Sequence, residues 1–289
     1  MRIVSGVDAF RAFSSSAEID GAWPAWRHHC LDRFRDVHNI ILRVLYQSDQ
    51  VDVIRLHVEA MDIERATERV WRFVEDRAEA HIGRLLRQSE GTCPAPQNYS
   101  VYLIPGWGQI DGASVPGIDP FVYFGLELYG SLEYFDRLVP HEYNHMVRNA
   151  AVLTEEIGRG LPTLKQLTVS EGLATLFPVV LRGEPVTPLS IVAGGMMAEE
   201  SAHYCRAHED EVFAELRRVW DRPITPDLIA QFISGSGDGC LGDRPAKSAY
   251  YVGSRIVGDL LNDGHDLCRL TRMPTEAILQ LHSESVGHR

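Results

Sequence analysis

Residues 137–150, RLVPHEYNHMVRNA, contain two histidines four positions apart, His141 and His145, with Glu142 directly after the first. On a helix, positions i and i+4 lie on one face about one turn apart, so both imidazoles can reach a single metal ion. Glu142 lies roughly 100° further around that helix, where it can act as a general base on water without ligating the metal. The alternative is a coincidental pattern in a histidine-bearing helix, and a third ligand elsewhere in the chain distinguishes the two.

A third ligand is expected downstream, because catalytic zinc usually keeps three protein ligands and one open position. The strongest candidate is Glu171 in TVSEGLATLF, which lies 26 residues after His145. The small residues Gly172 and Ala174 beside it permit close packing of helices. Glu171 is therefore the first candidate to complete the site.

Four other side chains are alternative candidates for the third ligand. Two glutamates lie in LTEEIGRG, which has the polar character of a surface turn, and two histidines lie in the charged stretch SAHYCRAHEDE. These four rivals are Glu155, Glu156, His203 and His208. The upstream histidines fall on helical patterns, where a surface or core position is the commoner role; they are His28, His29, His38, His57 and His81.

Composition and charge disfavour several classes of partner. The 289 residues are 45% hydrophobic and 24% charged, with a net charge of −12 and a pI near 5.4. Such an acidic chain is not expected to bind nucleic acid or an anionic membrane surface. No window approaches the ~18 consecutive apolar residues of a membrane span. The N-terminal residues lack the apolar core of a signal peptide.

The cysteines are scattered and show no CxxC pair; they are Cys30, Cys93, Cys205, Cys240 and Cys268. This spacing indicates neither a disulfide framework nor a thiolate zinc site. We therefore predict free thiols in a cytoplasmic protein.

The N-terminal part of the chain has the periodicity of helices after one short strand. Residues 3–13 are predicted to form a strand that ends near Phe13. Apolar residues then recur at helical spacing over residues 23–47 and 51–87. A break rich in glycine and proline follows at residues 90–98. We therefore predict a mainly helical N-terminal region over residues 1–95.

A change in residue composition after this break predicts a small sheet followed by helices. β-branched and aromatic runs at 99–106 and 121–130 predict strands, separated by a glycine-rich, turn-forming segment. Pro140 either lies in the first turn of the helix with His141 or kinks a longer helix that starts near Leu132. The predicted later helices are residues 161–182, 190–220, 225–233 and 246–262.

An α+β fold follows from this order of elements. We predict a catalytic region over residues 96–289. Its sheet and the helix with His141 and His145 occupy residues 96–160, and its helical C-terminal part occupies residues 161–289.

The run SGSGDGCLGDRP at residues 234–245 superficially resembles a phosphate-binding loop. It follows a predicted helix rather than a strand, and it has no lysine at the required place. We therefore predict a flexible loop and no nucleotide site.

The order of the motifs resembles a known group of enzymes. His-Glu-x-x-His followed by Glu-Gly-x-Ala is similar to the gluzincin metallopeptidases, and in particular to the bacterial domain-of-unknown-function family 2268 of predicted zinc-dependent proteases. The resemblance runs from VYLIPG through SEGLA to YYVGSRIVGDLL. Such families commonly carry Tyr-x-x-Gly near the start of a C-terminal helix, which Tyr250 and Gly253 match, while Tyr251 is one place off. Some gluzincins place an acid four residues after the glutamate ligand, where this chain has Thr175.

The resemblance implies a zincin-like fold and a zinc metallopeptidase that acts on peptide or protein substrates. The implied ligands of one Zn²⁺ ion are His141, His145 and Glu171. Glu142 is the implied general base, and Tyr250 is our first choice as hydrogen-bond donor to the developing oxyanion. The strand at 121–129 is expected to lie along the cleft and pair with the substrate backbone.

A second class of protein fits the same ligands, namely a non-proteolytic zinc-binding protein that uses the site for structure or interaction. Glu142 distinguishes the two classes, because a closed structural site has no use for a base beside its ligand. Such a site also usually takes a fourth protein ligand. The glutamate in this sequence favours the enzyme.

Overall fold

Four short strands form one mixed sheet in the computed structural model, which describes residues 1–117, 119–158, 160–234 and 247–287. In chain order they are β1 (Arg2–Ser5), β2 (Ser100–Ile104), β3 (Gly112–Ala113) and β4 (Phe121–Gly125). Their spatial order is β1-β2-β4-β3, with β1, β2 and β4 parallel and β3 antiparallel to β4. β3 is therefore an edge strand, and β4 lies between two partners.

Side-chain chemistry explains why β2 and β4 form. Both are rich in β-branched and aromatic residues, which suit a pleated, buried surface. All five residues of β4, FVYFG, are buried, and strands covered on both faces have continuous apolar sequences. The strands predicted at 99–106 and 121–130 are confirmed, and each is shorter than expected.

The N-terminal strand and the glycine-rich segment differ from expectation. The strand predicted over residues 3–13 ends at Ser5, and helix α1 follows over Val7–Asp20. The buried residues of α1 recur at the three- and four-residue intervals of a helix; they are Ala9, Phe10, Phe13 and Ala17. The segment predicted as turns contains strand β3, whose two residues are stabilised by pairing with β4.

The helical patterns at 23–47 and 51–87 are divided into shorter helices. Asp62 caps the helix that begins at Ile63, because its side chain accepts a hydrogen bond from the backbone N–H of Arg65 at 3.0 Å. Arg77 has a left-handed φ of 53° and separates this helix from the next one. The α-helices here are α2 (Ala22–Trp26), α3 (Arg35–Ile41), α4 (Arg55–Glu59), α5 (Ile63–Glu75) and α6 (Ala78–Thr92). Two π-helical segments, Arg27–Leu31 and Leu42–Tyr46, follow α2 and α3, and a 3₁₀ segment, Val51–Ile54, precedes α4.

Helices dominate the described chain after β4. A 3₁₀ segment at Leu126–Leu128 leads to α7 (Leu132–Arg148). The later α-helices are α8 (Thr154–Ile157), α9 (Leu164–Leu181), α10 (Ser190–Ala193), α11 (Glu199–Ala207), α12 (Glu209–Val219), α13 (Pro226–Ile229), α14 (Ser248–Asn262), α15 (Leu267–Thr271) and α16 (Thr275–Gly287). Two π-helical segments are Asn149–Leu153 and Ala230–Ser234. No helix in the described ranges is both long and apolar enough to cross a membrane.

Several predicted helices are confirmed in this part of the chain. Helices α9 and α14 match the predictions at 161–182 and 246–262, whereas the pattern at 190–220 is divided into three helices. The glycine-rich loop predicted at 234–245 lies outside the described residues from position 235 onward.

By packing, the chain divides into two compact units. The first contains residues 1–90 and 95–142, and therefore the sheet. The second contains residues 91–94 and the chain from residue 143 onward. The chain is a helix-rich α+β protein, and the region boundary expected at residue 95 stays a prediction.

A buried carboxylate organises the loop between β2 and β3. Glu127 is 2% exposed, and its two oxygens accept the N–H groups of Gly106 at 2.8 Å and Gly108 at 2.9 Å. Burial raises the pKa of this carboxyl, while the same N–H groups act to lower it. The indole N–H of Trp26 donates to the Gly106 carbonyl at 2.6 Å. These bonds fix the loop that leads into the edge strand.

His38 is a buried histidine that should couple stability to pH. Its Nε2 donates to the Pro105 carbonyl at 2.9 Å, and burial lowers its pKa from 6.5 to about 4. Between these two values the unfolded chain binds a proton that the folded chain does not, so the free energy of unfolding falls as the pH drops. Above pH 6.5 the ring is neutral in both states and contributes no pH dependence. At about 1.4 kcal/mol per pKa unit, the full effect is roughly 3 kcal/mol.

Chemical denaturation at pH 7 and pH 4 measures this contribution. We expect His38→Gln to lose roughly 3 kcal/mol less stability than wild type on acidification. His203→Gln is the matched control, because the His203 side chain is 54% exposed, and it should keep the wild-type pH dependence. Equal losses in wild type and His38→Gln would contradict the assignment.

Two of the cysteines form a disulfide. Cys93 is joined to Cys268, with their Cα atoms 5.1 Å apart and a sequence separation of 175. Cys30 and Cys205 are free and buried, and Cys240 lies outside the described residues. The expectation of free thiols is therefore wrong for Cys93 and Cys268, because spacing in sequence does not show which cysteines a fold brings together.

Candidate metal centre

Helix α7 carries the first two candidate ligands. It is continuous over Leu132–Arg148 and contains Pro140 in its interior, so the longer of the two predicted helices is observed. His141 and His145 are one turn apart on this helix and are 3% and 8% exposed. Both imidazoles are therefore buried on one helix face.

A third side chain lies beside these two histidines. His141, His145 and Glu171 each offer one ligand atom, and these atoms all lie within 4.8 Å of one another. Glu171 is 6% exposed, so the whole cluster is buried. Two imidazole nitrogens and one carboxylate oxygen are a donor set that zinc accepts in proteins. The cluster therefore fits a zinc site.

The two ring nitrogens of His145 face different partners. Its Nε2 lies 3.2 Å from Oε2 of Glu171, and its Nδ1 lies 3.3 Å from the hydroxyl oxygen of Ser170. A neutral imidazole carries one proton, so an Nδ1–H that donates to Ser170 leaves the Nε2 lone pair directed toward Glu171. This is the tautomer in which Nε2 of His145 can ligate a metal.

Close approach of two helices positions Glu171. A Cβ at Gly172 would lie 2.1 Å from the backbone carbon of Gly253, and a Cβ at Gly253 would lie 2.0 Å from the carbonyl oxygen of Thr168. Only glycine fits at either contact, since any side chain would overlap with backbone. The close packing predicted from Gly172 is confirmed, and it fixes α9 against α14 next to Glu171.

Buried polar contacts anchor the second half of α7. The Tyr143 hydroxyl donates to the Cys93 carbonyl at 2.7 Å, and Asn144 Nδ2 donates to the Thr271 hydroxyl at 2.9 Å. The Arg148 guanidinium donates to the Thr271 carbonyl at 3.2 Å, and burial lowers its pKa to about 10. These bonds hold the helix around His145 in one orientation.

Glu142 lies against the edge strand β3. A Cβ at Gly112 would lie 2.8 Å from Cγ of Glu142 and 3.1 Å from its Oε1, so the glycine backbone touches this carboxylate side chain. Glu142 is 6% exposed. The expectation that the strand at 121–129 pairs with substrate is wrong, because β4 already has β2 and β3 as partners. Among the described residues, the strand beside Glu142 is β3, which pairs on one side only.

The two candidate tyrosines at the start of α14 have different surroundings. Tyr251 is fully buried, and its hydroxyl donates to Oε2 of Glu209 at 3.0 Å. Burial and the Glu209 carboxylate both raise the pKa of Tyr251. Tyr250 is half-buried, with the Lys247 ammonium 5.5 Å from its ring centroid. The Tyr251 hydroxyl is therefore committed elsewhere, and Tyr250 stays the predicted oxyanion donor.

The rival ligands contact other groups. Glu155 is exposed, and both oxygens of Glu156 accept hydrogen bonds from Thr275, at 2.6 and 2.9 Å. His203 is mostly exposed, and His208 stacks on a tyrosine ring at 4.2 Å. In the described part of the chain, none of these rivals belongs to the group of potential ligands around His141.

Two residues that shape the site were not identified from the sequence. Ser170 could have been suspected from its position directly before Glu171. Gly112 gave no signal, because a two-residue strand has no period and depends on its neighbour for stability.

One comparison with known proteins gives a match. A family model described as "Predicted Zn-dependent protease (DUF2268)" matches residues 98–280, which is more than half of the chain. The matched segment includes the His141 cluster, Glu142 and Tyr250. No curated protein and no solved structure matches this chain.

Proposed function

Since the chain belongs to the DUF2268 family of predicted zinc-dependent proteases, we propose that it hydrolyses peptide bonds with zinc held by His141, His145 and Glu171. The observation that carries this proposal is the meeting of these three buried side chains, with Glu142 next to the first ligand on the same helix. The small sheet and the helix that follows it support a zincin-like scaffold.

The donor set supports a catalytic rather than a closed structural site. The described residues supply three protein ligands, which leaves the open position that catalytic zinc keeps, whereas structural zinc usually has four. When bound, zinc would lower the pKa of a water molecule toward about 7 and polarise the substrate carbonyl. Ser170 would keep His145 in the tautomer whose Nε2 is available to the ion.

Glu142 is the proposed general base and general acid. Its carboxylate takes a proton from the attacking water and later delivers that proton to the leaving amine. Its burial beside His141, outside the group of three potential ligands, supports this role. The contact with Gly112 limits the positions that its side chain can take.

A peptide or protein substrate is proposed to bind along β3. An extended backbone can add to a sheet edge through main-chain hydrogen bonds. Gly112 touches Glu142, so a chain paired with β3 would pass close to the proposed base. Because the protein is acidic, we do not expect it to bind nucleic acid.

Tyr250→Phe is expected to lower kcat by roughly 10²–10³-fold with little change in KM or zinc content. A phenol directed at the oxyanion makes its strong hydrogen bond only after water has attacked, so its loss removes transition-state stabilisation selectively. Steady-state kinetics on a cleaved peptide measures the change. Tyr204→Phe, at another half-buried tyrosine, is the control and should keep wild-type kinetics. A decrease below about threefold in Tyr250→Phe would reject this role.

Digestion of a broad peptide library tests the proposed function. Purified protein should cleave peptides, a chelator should abolish cleavage, and added zinc should restore it. Zinc binding without cleavage would support a non-proteolytic zinc-binding protein instead. Absence of both zinc binding and cleavage would reject both functions.

A further inference from the structure

Asp111 connects the edge strand to the helix that carries the proposed base. Its Oδ1 accepts a hydrogen bond from the backbone N–H of Gly112 at 2.9 Å, and its Oδ2 accepts a hydrogen bond from the hydroxyl group of Tyr134. Tyr134 lies on α7, about two turns before Glu142. The backbone carbonyl of Asp111 also accepts the N–H of Gly125 at 3.0 Å. One residue is therefore bonded to β3, β4 and α7.

The hydrogen bond between Asp111 and Tyr134 is expected to be stable at neutral pH. Both residues are half-buried, where a charge-assisted hydrogen bond is stronger than in water. Burial raises the pKa of Tyr134, and the charges of Asp111 and Glu142 raise it further. The phenol therefore stays protonated and remains a donor at neutral pH.

Gly112, which is bonded to Asp111, is in direct contact with the side chain of Glu142. A Cβ at Gly112 would lie 2.8 Å from Cγ of Glu142 and 3.0 Å from Cδ1 of Leu138, so strand and helix are already at their closest approach. A strand that moved away from α7 would give the Glu142 side chain room for other rotamers. The orientation of the base thus depends on where β3 is held.

We propose that Asp111 and Tyr134 are positioning residues that hold Gly112 against Glu142 and so keep the base oriented for proton transfer. This inference rests on the proposed function. Neither residue is assigned a contact with substrate. Misplacement of a reacting group by about 1 Å can cost roughly 10²-fold in rate, so even a small loosening of β3 should be measurable in kcat.

A double-mutant cycle tests the pair. Tyr134→Phe and Asp111→Ala should each lower kcat by roughly tenfold to a hundredfold, with zinc content little changed. The double variant should lose no more than the single variants, because the two residues act as one unit. Tyr102→Phe, at a half-buried tyrosine on β2, is the control and should keep wild-type kinetics. Unchanged kcat in Tyr134→Phe, or losses that multiply in the double variant, would overturn the proposal.

Hydrogen exchange of the Gly112 amide gives a readout that requires no substrate. Tyr134→Phe should speed this exchange about tenfold by loosening Asp111, whereas Tyr102→Phe should not. If wild type cleaves no peptide, the proposed function fails. The exchange rates then decide separately whether the pair holds β3, and equal rates in wild type and Tyr134→Phe would show that it does not.

Gly112→Ala examines the contact itself. Its Cβ would overlap with Glu142, so kcat should fall by roughly tenfold or more while zinc is retained. Gly117→Ala is the matched control, since no heavy atom of the described residues lies within 4 Å of its Cβ position. Equal activity in the two alanine variants would overturn the role given to Gly112.

Discussion

Replacing Glu142 with glutamine is expected to abolish measurable peptide hydrolysis while zinc stays bound. The amide keeps the shape of the side chain and its contact with Gly112, but it cannot accept a proton from water. General acid–base catalysis typically contributes on the order of 10²–10⁴-fold, and Glu142 is proposed to act in both proton transfers. Zinc content by elemental analysis, measured beside kcat on the same preparation, separates the loss of the base from the loss of the metal.

Glu155→Gln is the matched control for this experiment. Glu155 is exposed and lies outside the cluster, so the same chemical change there should leave both zinc and activity at wild-type levels. Retained hydrolysis in a fully metallated Glu142→Gln protein would exclude Glu142 as the base.

Glu171→Ala is expected to weaken zinc binding more than any other single carboxylate substitution in the chain. The change removes the charged donor and leaves two neutral imidazoles, which hold a divalent ion less well. Loss of an outer hydrogen-bond partner typically costs roughly 10–100-fold in affinity, and loss of a direct ligand should exceed that. Competition with a chromogenic chelator measures the zinc dissociation constant.

Glu156→Ala is the control for the third ligand. Glu156 bonds Thr275 through both oxygens, so its loss should lower stability without changing zinc affinity. The outcome that contradicts the site is the reverse pattern, in which Glu156→Ala loses zinc and Glu171→Ala keeps it.

The proximity of the three candidate ligands could be predicted from the sequence. Helix geometry converts the spacing of His141 and His145 into a shared face, and no tertiary information is needed for that step. Glu171 was the first candidate because of its spacing from His145 and the small residues beside it, and the structure shows that Gly172 contacts the backbone of α14. The two central strands were predicted from their runs of β-branched and aromatic residues.

Features that depend on tertiary placement were not predicted. The edge strand at Gly112–Ala113 is too short to have a pattern, and it exists because β4 pairs with it. The contact of Ser170 with His145 joins residues 25 positions apart, and only the folded chain shows it. The disulfide joins Cys93 and Cys268, which are 175 positions apart, and was missed for the same reason.

Anomalous diffraction at the zinc absorption edge, from crystals of the zinc-loaded protein, shows which residues bind zinc. A strong zinc peak is expected in contact with His141, His145 and Glu171, with no protein atom as fourth ligand. A zinc peak held by other residues, such as His203 or His208, with none at this cluster, would contradict this expectation.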